Sequence, residues 1–148
     1  MTDTEQARAL IDANQYLTLA TADAEGNPWA SPVWFAHESY TSFLWVSHPE
    51  FAALRQHRGA SSRRHGRLRH HRCPEPGACG LPRARAAEVD AAELEDALAV
   101  YSDKSMRSGL IAWTRPDVTG DAAHRMYRAR ISAASVLAPK DSRAPISL

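Results

Sequence analysis

The sequence predicts one mainly β domain with flanking helices, and three observations carry that expectation. Its 148 residues suffice for one core and leave little room for a second folding unit. Three segments between Tyr16 and Ser47, and a later one from His124 to Leu137, either alternate in polarity or are apolar on both sides, the period-2 signature of strands. Helical spacing of apolar residues occurs in two places, at the start of the chain and around Leu94.

In order along the chain, Ala7, Leu10, Ile11 and Asn14 share one helical face, with Asp3 and Glu5 near the start, where negative charge suits the helix dipole. Tyr16–Ala22 then sets Leu17 and Leu19 against Thr18 and Ala20 and runs into the turn 23–27, where Gly26 and Asn27 supply turn conformations. Trp29, Ser31, Val33 and Phe35 project to one side of the next strand, and Ala30, Pro32, Trp34 and Ala36 to the other. Both sides are partly apolar, as a barrel strand requires, and Pro32, which lacks a ladder donor, predicts a bulge or an edge. Residues 37–41 read as a turn and Ser42–Ser47 as the third strand of a meander.

Asp90 followed by Glu93 has a capping-box pattern, and Leu94, Ala97, Leu98 and Tyr101 continue at helical spacing to about Ser102. Residues 103–122, with Gly109, Pro116 and Gly120, read as an irregular connection. The late strand sets Met126, Arg128 and Arg130 against Tyr127, Ala129 and Ile131, giving it a basic side. The tail from Ala138, with Pro139 and Pro145, reads as extended.

The net charge of +1 conceals an asymmetry. Residues 51–83 carry eight Arg and one acid, Glu75, a local charge of 8 − 1 = +7, so the remainder carries 10 − 16 = −6. Four of the seven histidines and both cysteines lie in the same stretch, which has no aromatic residue after Phe51. His70, His71, Cys73 and Cys79 invite a zinc reading, but His-His-x-Cys-x5-Cys lacks the paired short spacings of such sites, and no metal is expected. The Arg/His run has neither interleaved aromatics nor a periodicity that would present a reading surface, so no specific nucleic-acid partner is expected. No run of 18 apolar residues predicts a membrane span, and the opening Thr, Asp, Thr and Glu do not resemble a leader. With only two cysteines, the expected location is the cytoplasm.

The strings "LATADAEGNPWASPVWFAHE", "FLWVSHPE" and "HRMYRARISAASVL", in that order and spacing, resemble the pyridoxamine 5′-phosphate oxidase-like flavoproteins across roughly residues 8–50 and 84–148. The resemblance implies an FMN-binding split β-barrel and a flavin-dependent oxidoreductase acting on a small-molecule substrate. By position it implicates Ser31, Pro32, Val33 and Trp34 on one strand and Trp45, Val46, Ser47 and His48 on another as flavin-binding residues, with a basic segment just after them holding the phosphate. It also implies a homodimer, with Trp113, Tyr127, Arg128 and Arg130 facing the interface. A deazaflavin coenzyme is the alternative ligand. The plainer alternative is that Val33, Trp34 and Trp45 are core, that Ser47 ends a strand, and that the chain binds a ligand without catalysis.

The resemblance breaks between Phe51 and Pro82, where the family would place a short basic helix and two Val/Ile-rich strands. A reading frame moved forward by one base turns CGN arginine codons into codons starting with G, for Val, Ala, Asp, Glu or Gly, and histidine before a C-starting codon into Ile or Thr. With GC-rich codons chosen for Gln56–Arg72 the shifted frame reads "NIAARPRVAMVVFDTT", supplying the missing helix end and a Val-Val-Phe strand. On this reading residues 51–83 are frameshifted, residues 57–82 lack regular strands, and the chain is an inactive product. An intact open frame in the gene, shared by close relatives, removes it.

Overall fold

A single strand-to-strand step in the chain, Trp34-Phe35-Ala36, carries both ends of one antiparallel sheet, and this dictates the architecture. A computed structural model describes residues 2–22, 25–49, 66–70, 82–138 and 142–148. The elements are helix α1 (Asp3–Ala13), strands β1 (Tyr16–Ala22), β2 (Pro28–Trp34), β3 (Ala36–Glu38), β4 (Ser42–Ser47), β5 (Gly66–His70) and β6 (Arg83–Glu88), helix α2 (Leu94–Arg107), the helical turn α3 (Arg115–Val118), and strands β7 (Arg125–Ala138) and β8 (Ser142–Ile146). The sheet runs β2-β1-β5-β6-β7-β4-β3, with β8 added on β7. Because β2 and β3 are consecutive in sequence yet sit at opposite ends of this order, the sheet has to curl until its ends meet. Among the described residues no ladder joins β2 to β4, so the barrel is split rather than closed, as the sequence led us to expect.

Alternation sorts the side chains between two cores. Leu17, Leu19, Phe35, Phe43, Trp45, Tyr127 and Ala129 fill the barrel, where Phe35 and Phe43 meet edge to face and Trp45 stacks on Tyr127. Residues of the opposite parity, Ala36, Leu44 and Met126, pack outside against Leu94, Ala97, Leu98 and Tyr101 of α2. Helix α1 is fixed by a capping box between Thr2 and Glu5 and buries Ala7, Leu10 and Ile11, as its spacing predicts.

Four expectations need correction. The second strand of the predicted order is interrupted at Phe35, whose N–H leaves the ladder to bond Gln15 O at 3.1 Å, so β3 begins at Ala36 and the turn shrinks to 39–41. Asp90 and Glu93 form no capping box: Glu93 is itself the N-cap of α2, with its carboxylate taken by Arg128 and Arg130. That helix runs five residues past Ser102 to Arg107 and stops at Gly109, whose φ of +75° provides the left-handed residue that ends helices. The tail is extended, as expected, and forms β8 despite Pro145, which an edge strand tolerates. Finally, residues 57–82 were expected to lack strands, yet Gly66–His70 pairs its backbone with both β1 and β6. The rest of the 51–83 segment lies outside the described residues, apart from Pro82 and Arg83, and with it Cys73 and Cys79.

The β3–β4 turn is strained and held down. Ser39 and Tyr40 have φ of 46° and 62°, a conformation that side chains disfavour, while Thr41 N–H closes the turn on Glu38 O at 2.9 Å. Asp12 of α1 offsets the cost: one carboxylate oxygen accepts from Tyr40 Oη at 2.9 Å and the other meets His37 Nε2 at 3.1 Å. His37 stacks on the Tyr40 ring at 4.4 Å and takes the Tyr40 N–H on Nδ1, so the neutral ring carries its proton on Nε2 and donates to Asp12. Burial holds the His37 imidazole below its ordinary range, against the pull of Asp12.

Two stability outcomes follow from these contacts. Ser39→Gly is expected to raise stability by about 0.5–1 kcal/mol in urea unfolding, because glycine adopts positive φ without the side-chain penalty; a loss would contradict the strain. Arg128, 9% exposed, bonds Glu38 at 2.8 Å and Glu93 at 2.7 Å. Arg128→Ala leaves Glu38 without its cation, while Glu93 keeps Arg130, and is expected to cost about 3 kcal/mol, a loss under about 1 kcal/mol being inconsistent with a buried bridge.

Candidate functional site

The sheet's failure to close creates the site. Among the described residues β2 is paired on the β1 side alone, and β3 covers β4 over Ser42–Leu44, so β2 and residues 45–47 face each other across an open slot. Strand edges without ladder partners present N–H and C=O groups to whatever fills the gap. One such group is taken within the chain, the Val46 backbone meeting the Tyr101 hydroxyl.

The slot is a cleft of about 380 Å³ lined by Leu19, Ser31, Pro32, Val33, Trp34, Trp45, Val46, Ser47, His48 and His124. Its size is that of small-molecule sites. The eight residues singled out from the sequence, Ser31–Trp34 and Trp45–His48, all line it. They come together because the β1–β2 hairpin sets Ser31 opposite Leu19 while the β4–β7 ladder sets Trp45 opposite Tyr127. Pro32, lacking an N–H, sits on the edge strand as its chemistry requires.

The walls are aromatic. Tyr101 meets Trp34 edge to face at 5.0 Å, and its burial pushes the phenol up to about 12. Lys104 lies behind Trp34, with its ammonium 4.0 Å from the Phe35 ring centre and 5.5 Å from that of Trp34, and donates to Asn14 O at 3.1 Å. Burial lowers its pKa to about 8, a direction that the ring faces and Asp12 oppose. At the mouth, His124 packs against Trp113 at 5.5 Å and His48 at 6.4 Å. Two indole groups of the lining, Trp34 Nε1 and Trp45 Nε1, are buried without a hydrogen-bond partner among the described residues, which costs stability unless an acceptor reaches them.

Sequence reasoning missed His124 and Trp29. The first ends an irregular connection and reaches the cleft only through the fold; the second shares the face of Ser31 on β2, a periodicity visible in the sequence. The four residues expected at a subunit interface are placed differently from one another. Tyr127 points into the barrel and Arg128 is consumed by internal acids, Trp113 is half-buried beside His124, and Arg130 is exposed. Among the described residues no group of three His, Cys, Asp or Glu could hold a metal, and no helix is long and apolar enough to cross a membrane.

An open antiparallel barrel with a slot between two strand edges, backed by a helix, defines the split-barrel class. Residues 3–60 match the pyridoxamine 5′-phosphate oxidase family, the family that the motifs of the flanks resemble, and the fold is that of the split-barrel proteins. A heme binding protein from Mycobacterium smegmatis is similar in fold, with a TM-score of 0.74 at 16% identity over 99% of this chain, which spans 58% of that protein's length. A putative pyridoxamine 5′-phosphate oxidase from Listeria innocua gives 0.64 at 12% identity, covering 90% of this chain and 96% of that one. HutZ, the heme storage protein from Vibrio cholerae, gives 0.62 at 15% identity, covering 89% and 92%. No curated protein sequence matches.

Lys104 has a measurable signature. Between pH 8 and 10.5 the unfolded chain holds a proton on this lysine that the folded chain has released, so stability rises with pH across that window. Thermal melts are expected to show this rise in the wild type and to lose it in Lys104→Met; parallel profiles would contradict the burial of the amine.

Proposed function

We propose that the chain binds FMN in the β2–β4 slot and works as a flavin-dependent oxidoreductase, assembled as a homodimer that covers the open mouth. The observation that carries this reading is the convergence of Ser31–Trp34 and Trp45–His48 on one cleft bounded by two unpaired strand edges. The lining fits a flavin: the ring system offers acceptor atoms along its edges and an aromatic face, and the cleft contributes the serines Ser31 and Ser47 beside Trp34 and Trp45. When bound, the flavin would supply the hydride chemistry, leaving the protein to hold the ring and exclude competing reactions. Val33, Trp34 and Trp45 would hold the ring, Ser31 and Ser47 would donate to it, and the phosphate would fall to the basic segment after β4, outside the described residues. A deazaflavin coenzyme is the alternative occupant of this slot.

A second reading rests on His48 and His124. Two imidazoles at the mouth of an aromatic cleft suit an iron porphyrin, and two of the similar structures are of proteins named for heme. A third, the frameshifted and inactive product, is tested by sequencing the gene through residues 51–83.

Purified protein separates the cofactors by spectrum. The flavin reading expects a yellow dimer with flavin absorbance bands, and Trp34→Ala should weaken FMN binding about tenfold, roughly the value of one lost aromatic contact. An intense Soret band shifted by His124→Ala supports the heme reading instead, and a colourless protein that binds neither supports the third.

A further inference from the structure

We infer that Trp29 is a positioning residue that fixes the direction of the Ser31 hydroxyl and thereby makes the cleft selective for a ligand with an acceptor atom at that point. The inference rests on the flavin reading of the cleft and extends it to a residue outside the lining. Trp29, Ser31 and Val33 lie on one face of β2, and the Trp29 indole N–H donates to Ser31 Oγ at 2.8 Å. An indole nitrogen is donor-only, whereas a serine hydroxyl has one proton and two lone pairs. The contact can therefore occupy only a lone pair of Ser31. The hydroxyl proton stays uncommitted among the described residues, on a side chain that lines the cleft.

Core packing does not account for Trp29. It is 49% exposed on the outermost strand of the sheet, at the end of the β1–β2 ladder opposite Thr21. Without the indole, the Ser31 hydroxyl could rotate and serve as donor or acceptor in turn. With it, Ser31 is biased toward donation and favours a ring nitrogen or carbonyl oxygen over an N–H group.

A double-mutant cycle on FMN affinity tests this, using the purified full chain with wild type, Trp29→Phe, Ser31→Ala and the double variant, and thermal melts to verify folding. Trp29→Phe keeps an aromatic ring and deletes the N–H. It is expected to weaken FMN binding about three- to tenfold, while in the Ser31→Ala background it should have no further effect; Ser31→Thr, which keeps a hydroxyl, should restore the dependence on Trp29. Losses that add, or a Trp29→Phe variant that binds like wild type, overturn the positioning role and leave the flavin reading intact. A folded wild type that does not bind FMN overturns the flavin reading, and this inference with it.

Discussion

The rest of the structure depends on a topological constraint at Phe35. The chain leaves β2 at Trp34 and enters β3 at Ala36, so the two termini of the sheet order are held one residue apart while the path between them runs through every other strand. Phe35 secures the junction from both sides. Its ring is fully buried against Phe43, and its N–H bonds Gln15 rather than a neighbouring strand. A barrel joined in this way covers its core without completing its hydrogen bonds. The incomplete part, between β2 and the far end of β4, is where strand edges, serines and the aromatic side chains of Trp34 and Trp45 line a cleft.

Support for that opening comes from behind it. Helix α2 sets Tyr101 and Lys104 against Trp34, and Lys104 also reaches the C-terminal end of α1 through Asn14. The Asp12, His37 and Tyr40 contacts hold the strained β3–β4 turn onto α1, which keeps β3 short and leaves residues 45–47 uncovered. Arg128 joins β7 to Glu38 on β3 and to Glu93 at the start of α2. Polar contacts thus fix the outer frame, while the apolar core fills the barrel within it.

The flanks were legible because their side chains keep strand and helix periods: Leu17 and Leu19, Phe43 and Trp45, and Tyr127 and Ala129 all face inward at the parity their sequence shows. The eight cleft residues were legible through motif order. β5 was not, because an Arg/His run has no period to read, and β8 was obscured by prolines that an edge strand accommodates. Glu93 misled because its pattern matched a capping box, whereas Arg128 and Arg130, distant in sequence, claim its carboxylate. His124 was invisible for the same reason: its place at the cleft arises from the β4–β7 ladder, not from its neighbours in the chain.

The edges of β2 and β4 that lack ladder partners among the described residues are the proposed ligand-binding surface. Amide hydrogen exchange, followed by mass spectrometry with and without FMN, tests it most directly, since unpaired edge amides exchange readily until a ligand engages or covers them. FMN is expected to slow exchange in peptides covering Pro28–Trp34 and Trp45–His48 and to leave the β7–β8 ladder unchanged. Protection confined to other strands, with those two segments unaffected in FMN-saturated protein, would contradict it.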